Sequence, residues 1–302
     1  MSTTLTTQGP MKVFHDATYC DTSVAWETTR KADAVAARLG EGAIEGVQLV
    51  SPTPLSDAEL RETLDDEYLA ALRTGAPRRL AESNSIGWDD RLLRAVNASN
   101  GGVRDAALTA LTEGRNAGSL SSGLHHARRN SGSGYCTING LVVTARAALQ
   151  HGAQRVLVLD LDAHCGGGTA SSLGELKGCE QLDISVSSFD SYRDMEGSKL
   201  VLTDAATYLD VIERELSDIQ SPSGIDLVLY NAGTDPHEGA GGVSGVSNET
   251  IAQREELVFG WARALNIPVA WVLAGGYTLG VTMKELVELH LHAVRAATGS
   301  TA

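Results

Sequence analysis

The chain has 302 residues, of which 42% are hydrophobic and 21% are charged, and its formal net charge is −14. This length and apolar content suffice for one large α/β domain with a buried sheet. The excess of acidic side chains opposes contact with nucleic-acid phosphates and with anionic membranes, so we predict neither as a partner. The same charge suits a cationic small molecule, although it also serves solubility alone.

The two ends of the chain and its cysteines indicate a simple organisation. Residues 1–10 are rich in threonine and lack a basic start followed by an apolar core, which predicts a loose tail rather than a secretory signal. Residues 11–298 are predicted to form one domain. The four cysteines form no CxxC pair, which favours reduced thiols in a cytoplasmic protein. Assembly of several copies of this chain into a homo-oligomer is compatible with the sequence.

Short apolar runs alternate with amphipathic stretches along the chain. The runs predict strands at residues 12–15, 46–50, 156–161, 227–230 and 269–273. The amphipathic stretches predict helices at residues 30–39, 56–73, 141–150, 205–219, 249–265 and 284–297, with Ser56 as an N-cap. This alternation predicts a three-layer α/β/α sandwich around a mainly parallel sheet.

A first candidate site follows the strand at residues 156–161, which ends in Asp160-Leu161-Asp162-Ala163-His164. Asp160, Asp162 and His164 stand at every second position, so their side chains point to the same face of the strand. Two buried carboxylates on one face repel each other unless a cation or hydrogen-bond donors compensate their charge. Asp235, which follows the strand at residues 227–230, can complete a shell with Asp162 and His164. Three protein ligands with an open fourth position are typical of a catalytic zinc ion.

Two further motifs carry groups suited to acid–base chemistry. His125 and His126 lie on a loop bounded by glycine and serine, and Tyr277 follows Gly275-Gly276 at the end of the last predicted strand. The Tyr277 hydroxyl can donate to a developing oxyanion, or the ring can be a buried aromatic with a satisfied hydroxyl. Taken singly, each motif is also compatible with a purely structural role.

Together and in this order, the motifs resemble the signature series of one family. They are Gly123-Leu124-His125-His126-Ala127 with Ser133-Gly134-Tyr135-Cys136, then Asp160-Leu161-Asp162-Ala163-His164, then Gly233-Thr234-Asp235, then Gly275-Gly276-Tyr277. The series is similar to that of the zinc-dependent histone deacetylases and acetylpolyamine amidohydrolases, within the arginase–deacetylase superfamily. The resemblance runs from about residue 88 to residue 277. It implies a roughly eight-stranded sheet and hydrolysis of an N-acetyl or other N-acyl amide.

The resemblance also implies roles for individual residues. One zinc ion per chain is held by Asp162, His164 and Asp235. The residues implied in catalysis are His125, His126, Tyr277 and Asp160, the last of which orients His125. The residues implied in substrate binding are Gly134 and Tyr135, in a tunnel for a lysine-like side chain, and Asp89 at its rim.

Members of this family commonly bind a structural potassium ion beside the zinc. The resemblance places it on main-chain oxygens near residues 160–168, which we call the zinc turn because they carry two of the implied zinc ligands. It also places it on a serine of the next strand, which Ser187 matches. The implied ligands are Asp160, Asp162, His164, Ser187 and Ser188.

The chain departs from the family pattern at three places. The zinc turn carries Gly167 where the family has an acid or amide that supports the second histidine, so His126 is expected to be less basic unless another group replaces it. Residues 25–30 replace the His-Pro pattern of the first loop. The third departure is the unusual loop after Asp235. We interpret it as a solvent-exposed loop, and the alternative is that the His237 or Glu238 side chain reaches the site.

Two other functions remain alternatives. An arginase-type ureohydrolase needs a further carboxylate for a second metal at the position that Gly166 occupies here. A binding or sensor protein that has lost catalysis is the other alternative, and Gly167 is its main support. For an enzyme, the substrate is an acylated lysine, an acylated polyamine or a small-molecule pathway intermediate.

Overall fold

The computed structural model describes residues 9–22 and 27–299, and the side chains of residues 27–29 are outside this description. Its strands are β1 Met11–Phe14, β2 Val47–Val50, β3 Ala117–Ser119, β4 Val156–Asp160, β5 Cys179–Ser185, β6 Ser198–Leu202, β7 Leu227–Asn231 and β8 Val269–Val272. Its helices are α1 Glu27–Gly40, α2 Asp57–Thr63, α3 Asp66–Thr74, α4 Arg78–Ala81, α5 Leu92–Glu113, α6 Gly140–Gln150, α7 Gly167–Leu173, α8 Tyr208–Asp218, α9 Asn248–Ala264 and α10 Met283–Thr298. Short 3-10 helices lie at Ala17–Cys20 and Pro222–Gly224.

The eight strands form one parallel sheet in the order β2-β1-β3-β8-β7-β4-β5-β6. All residues of β4, β7 and β8 are buried, as expected for strands covered on both faces. The eight-stranded, mainly parallel sheet that the resemblance implied is thus confirmed, and every strand pair within it is parallel.

Helices cover both faces of the sheet, which confirms the three-layer sandwich. Alternate residues of β4 enter different apolar cores: Leu157 and Leu159 pack with α1, α8, α9 and α10, whereas Val156 and Val158 pack with α5, α6 and α7. This division follows from the alternation of side chains along a strand. A third, smaller cluster joins α2 and α3 to the start of α6.

The segment at residues 56–73 differs from its prediction as one helix. Ser56 is the expected N-cap, and its hydroxyl accepts from the Glu59 amide while the Glu59 carboxylate accepts from the Ser56 amide. The helix nevertheless ends at Thr63, because Leu64 is extended and the Asp65 amide donates to the carbonyl oxygen of Arg129 instead of continuing the helix. A second helix, α3, then starts at Asp66.

Several predictions concern parts of the chain outside this description. Residues 1–8 of the predicted tail are among them, and so are Ala25 and Trp26 of the departing first loop. Within the described ranges, no helix is both long and apolar enough to cross a bilayer.

Candidate metal centre and active site

The three predicted zinc ligands lie together at the carboxyl end of the sheet. Asp162 and His164 follow β4, and Asp235 follows the adjacent strand β7, so the parallel pairing of these strands brings them to one edge. One potential ligand atom from each residue lies within 4.8 Å of the others. His164 Nδ1 is 3.2 Å from Asp162 Oδ1 and 3.1 Å from Asp235 Oδ2.

Main-chain amides fix the two carboxylates. Asp162 accepts from the amides of His164 and Gly275, at 3.1 and 2.8 Å, and Asp235 Oδ1 accepts from the amide of Ala163 at 2.9 Å. Asp235 Oδ2 is buried, and no well-aligned hydrogen bond from the described residues reaches it, although His164 Nδ1 lies 3.1 Å away. A Cβ on Gly275 would lie 2.1 Å from this oxygen, so a residue with a side chain could not occupy position 275 without displacing the carboxylate. The turn thus leaves one uncommitted carboxylate oxygen beside His164.

The charges of this cluster favour a cation. Burial and the neighbouring charge of Asp162 raise the pKa of Asp235, because two buried anions repel each other. Burial opposes a charge on His164, but its close contacts with the carboxylates of Asp162 and Asp235 prevail and raise its pKa to about 11. A divalent ion would replace that proton and neutralise both carboxylates.

The tandem histidines lie side by side, with ring centroids 3.9 Å apart. His125 Nδ1 is 2.8 Å from Asp160 Oδ2, and Asp160 Oδ1 accepts from Asn231 Nδ2 at 2.8 Å. An ionised carboxylate can only accept, so the Nδ1 atom of His125 carries a proton and donates it to Asp160. The structure therefore places Asp160 where the resemblance implied a residue that orients His125.

His126 has a carboxylate partner that the sequence did not reveal. Its Nδ1 lies 3.0 Å from Asp190 Oδ2, and the other Asp190 oxygen pairs with the Arg128 guanidinium. The group missing at Gly167 is thus replaced from the loop that follows β5. No local pattern marks Asp190, since neither its spacing nor its neighbours differ from those of an ordinary acidic loop.

The two histidines have opposite pKa shifts. Burial opposes a charge on His125, but the charges of Asp160 and Asp162 prevail and raise its pKa to about 10. Burial and the adjacent charge of His125 lower the pKa of His126 to about 4, although Asp190 acts in the other direction. The expected loss of basicity applied only if no group replaced the missing acid, and Asp190 does replace it; His126 is nevertheless weakly basic, because burial and the charge of His125 outweigh Asp190.

A cavity of about 80 Å³ adjoins these groups. Its wall includes both tandem histidines together with Asp162, Tyr135 and Tyr277. Gly134 also lines it, and apolar residues complete much of the wall: Ile86, Leu92, Ala95, Val96, Leu120 and Leu124. The half-exposed ring of Phe189 lies edge-on to the rings of His126 and His164, at 5.0 and 5.8 Å.

Tyr277 is held at this cavity by its backbone and by the turn before it. The Tyr277 amide donates to the carbonyl oxygen of Ala240 at 2.9 Å. The buried Lys31 ammonium of α1 donates to the carbonyl oxygens of Ala274 and Gly276. Burial and the charges of Asp235 and Asp162 raise the pKa of Tyr277, so its phenol stays protonated and can donate. The role of Lys31 could not be predicted from the sequence, because this residue lies within an ordinary amphipathic helix.

Other predicted residues lie apart from this cavity. The Asp89 carboxylate accepts from the Arg91 amide at 2.6 Å, and Asp89 is not among the described residues that line the cavity. His237 Nδ1 accepts from the amide of Gly239, and the Glu238 carboxylate accepts from the amide of Gly245. Both side chains thus form hydrogen bonds within the loop after Asp235, which agrees with the interpretation of this segment as a solvent-exposed loop.

The serines implied in potassium binding need a correction of position. Ser187 was assigned to the strand after the zinc turn, but β5 ends at Ser185, and Ser187 lies two residues beyond it. The Ser187 amide donates to the carbonyl oxygen of Ala163, which anchors this loop to the zinc turn, and Ser188 is exposed. The buried serine at the end of the strand is Ser185, whose hydroxyl donates to Asp183. Potassium binding itself stays a prediction.

Comparisons with known proteins agree with this architecture. Residues 25–197 match the histone deacetylase domain. The chain is 34% identical over 277 residues to an uncharacterized protein of Picosynechococcus sp., covering 86% of this chain and 88% of that protein. It is 29% identical over 256 residues to histone deacetylase 2 of Arabidopsis thaliana, covering 79% of this chain and 66% of that protein. A crystal structure of the HDA15 HD domain has a TM-score of 0.76 at 17% identity, covering 97% of this chain and 91% of that one.

The fold and the family match define a deacetylase-like hydrolase, and the chain belongs to the histone deacetylase family. It is also 23% identical over 269 residues to human histone deacetylase 1, covering 80% of this chain but 55% of that protein. The chain therefore spans about half to two thirds of the length of these named deacetylases.

Proposed function

We propose that this protein is a zinc-dependent amidohydrolase that removes an acetyl or another short acyl group from a lysine-like or polyamine-like amine. The observation that carries the proposal is the convergence of Asp162, His164 and Asp235 beside two tandem histidines at a small cavity. The acidic net charge favours a cationic amine, and the small cavity favours a short acyl group.

The geometry of the ligand atoms fits a zinc ion. Bonds of about 2.0 to 2.1 Å in a tetrahedral shell place neighbouring ligand atoms about 3.3 Å apart. The two contacts of His164 Nδ1, at 3.2 Å to Asp162 and 3.1 Å to Asp235, agree with that spacing. Asp235 Oδ2, which faces His164 Nδ1 but accepts no well-aligned hydrogen bond from the described residues, agrees with a position reserved for a cation. A zinc ion held there would supply Lewis-acid activation of an amide carbonyl and of water.

The tandem histidines divide the proton chemistry between them. The bond to Asp190 keeps the proton of His126 on Nδ1, so the Nε2 atom of this neutral ring is left to accept the proton of the attacking water. The contact of His125 with Asp160 favours the protonated form of this ring, which would stabilise negative charge that develops in the site. Groups whose pKa values are pushed apart in this way are typical of acid–base pairs.

Tyr277 would stabilise the acyl oxygen as it gains negative charge. Its phenol is protonated and lines the same cavity as both histidines. The proton accepted by His126 is then donated to the amide nitrogen as the carbon–nitrogen bond breaks, so the leaving group departs as a neutral amine.

The alternatives lose their main support in this site. Within the described residues, one group of three potential metal ligands was found, whereas arginase chemistry needs a second metal. The sensor interpretation relied on the missing acid at position 167, and Asp190 supplies a carboxylate to His126 instead.

The test is hydrolysis by the zinc-loaded chain of three substrate classes: a fluorogenic acetyl-lysine amide, an N-acetylated polyamine and an acylated small amine. We expect turnover of at least one class, inhibition by a hydroxamate, and loss of both activity and bound zinc in Asp162→Asn. Asp210→Asn, which makes the same charge change on the exposed surface of α8, is the matched control. Hydroxamate binding without hydrolysis of any class would instead support the sensor.

A further inference from the structure

The carboxylate of Asp190 is built into the site on three sides. Its Oδ2 atom lies 3.0 Å from His126 Nδ1 and accepts from the Gly168 amide at 3.2 Å, and its Oδ1 atom pairs with Arg128. Only 9% of its side chain is exposed. Burial opposes a charge on Asp190, but the bonds from His126 and Arg128 prevail and lower its pKa, so the group is an anion.

Arg128 closes a ring of contacts around His126. Its Nη1 atom donates to the His126 carbonyl oxygen at 3.1 Å, while its Nη2 atom binds Asp190. The backbone and the imidazole of His126 are thus tied to the same ion pair. The Cys165 amide also donates to the carbonyl oxygen of Phe189 at 3.0 Å, which fixes the residue before Asp190 against the zinc turn.

Position 167 must be small for this arrangement to exist. A Cβ on Gly167 would lie 2.3 Å from the main-chain oxygen of Asp190 and 2.8 Å from its Oδ1 atom, and backbone cannot yield as a flexible side chain can. Asp190 itself has a left-handed backbone, with φ of 58°. Non-glycine residues adopt this conformation at a cost, and aspartate is among those that tolerate it.

We propose that Asp190 is the positioning residue for His126, and that a carboxylate at position 190 and glycine at position 167 are mutually dependent. In this chain the carboxylate reaches the second histidine from the loop after β5, and an acid at position 167 would exclude it. The proposal rests on the proposed function for its kinetic consequences, whereas the orientation of His126 can be tested without turnover.

The first experiment removes the carboxylate. Asp190→Asn keeps the shape of the side chain, and we expect a loss of kcat on the order of tenfold to hundredfold with KM little changed. Zinc content should be unchanged. Asp194→Asn, the same charge change at an exposed aspartate nearby, is the control and should keep the kcat of the unmodified protein.

The second experiment moves the carboxylate. Gly167→Asp alone should lower kcat, because the new side chain collides with Asp190. The double variant Gly167→Asp/Asp190→Gly should recover much of the loss seen in each single variant, since it provides one carboxylate, removes the Asp190 side chain from the collision, and places at position 190 a glycine whose backbone can move its carbonyl oxygen aside. Because colliding residues depart from additivity for steric reasons alone, the decisive comparison is with Gly167→Ala/Asp190→Gly, which relieves the same collision without a carboxylate and should stay as slow as Asp190→Asn.

The third experiment reads the orientation of His126 directly. In nitrogen-15 spectra of the zinc-loaded protein, we expect the Nδ1-protonated form of His126 in the unmodified chain and in the double variant, and a mixture of tautomers in Asp190→Asn. An unchanged His126 signal in Asp190→Asn, or losses that simply multiply in the double variant, would overturn the proposal. If no acylated amine is hydrolysed by any variant, the proposed function fails, while these spectra still decide the role of Asp190.

Discussion

The chemistry of this site depends on differences between neighbouring residues of the same type. His125 and His126 are adjacent in sequence, but His125 faces Asp160 and Asp162, whereas His126 is buried beside the charge of His125. Their pKa values therefore lie far apart, at about 10 and about 4. The sequence predicts that the pair takes part in proton transfer, and the surroundings decide which ring carries a charge.

At the same scale, Tyr277→Phe tests the phenol as a donor. The substitution removes one oxygen at the cavity and leaves the metal ligands intact, so we expect a fall in kcat on the order of hundredfold with zinc content unchanged. Steady-state kinetics and metal analysis of the same preparations measure both quantities. Tyr230→Phe makes the same chemical change inside β7 and should leave kcat as it is. Full activity of Tyr277→Phe would exclude a role for its hydroxyl.

Among the secondary-structure elements, the strands that position the site were the most predictable. The runs that became β4, β7 and β8 are continuous and apolar, and their burial on both faces explains that pattern. Helix α5, Leu92–Glu113, was not predicted although it is the longest described helix. Its adjacent glycines, Gly101 and Gly102, weaken the local helical signal, but both lie where other elements approach closely.

We expect two glycine-to-alanine substitutions within helices to change stability in opposite directions. In Gly101→Ala of α5, the new Cβ would lie 2.1 Å from the carbonyl oxygen of Thr53, so the collision should outweigh the better helix propensity and destabilise by about 1–3 kcal/mol. In Gly260→Ala of α9, the new Cβ would have no atom of the described residues within 4 Å apart from the helix's own nearby backbone, and the gain should be about 0.5–1 kcal/mol.

Urea denaturation of both variants measures these free energies of unfolding. The two substitutions are chemically identical, so each serves as the control for the other. Stabilisation by Gly101→Ala would show that α5 can move away from Thr53 at little cost, which would contradict a tightly fixed helix at this position.

For the molecule as a whole, buried His290 of α10 should make stability depend on pH. Burial and the positive charges of Lys31 and Arg254 lower its pKa well below the usual value, and its Nε2 atom lies 3.2 Å from Thr234 Oγ1. In the unfolded chain a histidine takes up a proton below about pH 6.5, whereas the native ring stays neutral. The contribution of His290 is therefore fully present above pH 6.5 and is lost as the pH falls below it.

The slope from this one residue should approach about 1.4 kcal/mol per pH unit below pH 6.5. Urea denaturation between pH 5 and pH 7.5 measures it, with His290→Gln compared against the unmodified protein at each pH. We expect the dependence on pH to be shallower in the variant. Parallel curves for the two proteins would show that His290 is not the source of the effect.

The amino-acid sequence alone determined the layered architecture and the candidate metal ligands, because both depend on local patterns. Hydrophobic periodicity distinguishes buried strands from amphipathic helices, and Asp162, His164 and Asp235 follow strands whose parallel pairing brings their ends together. Only the tertiary structure decided which carboxylate supports His126. Asp190 reaches that ring because a separate loop folds over Gly167, and a contact between distant segments depends on packing that no local pattern encodes.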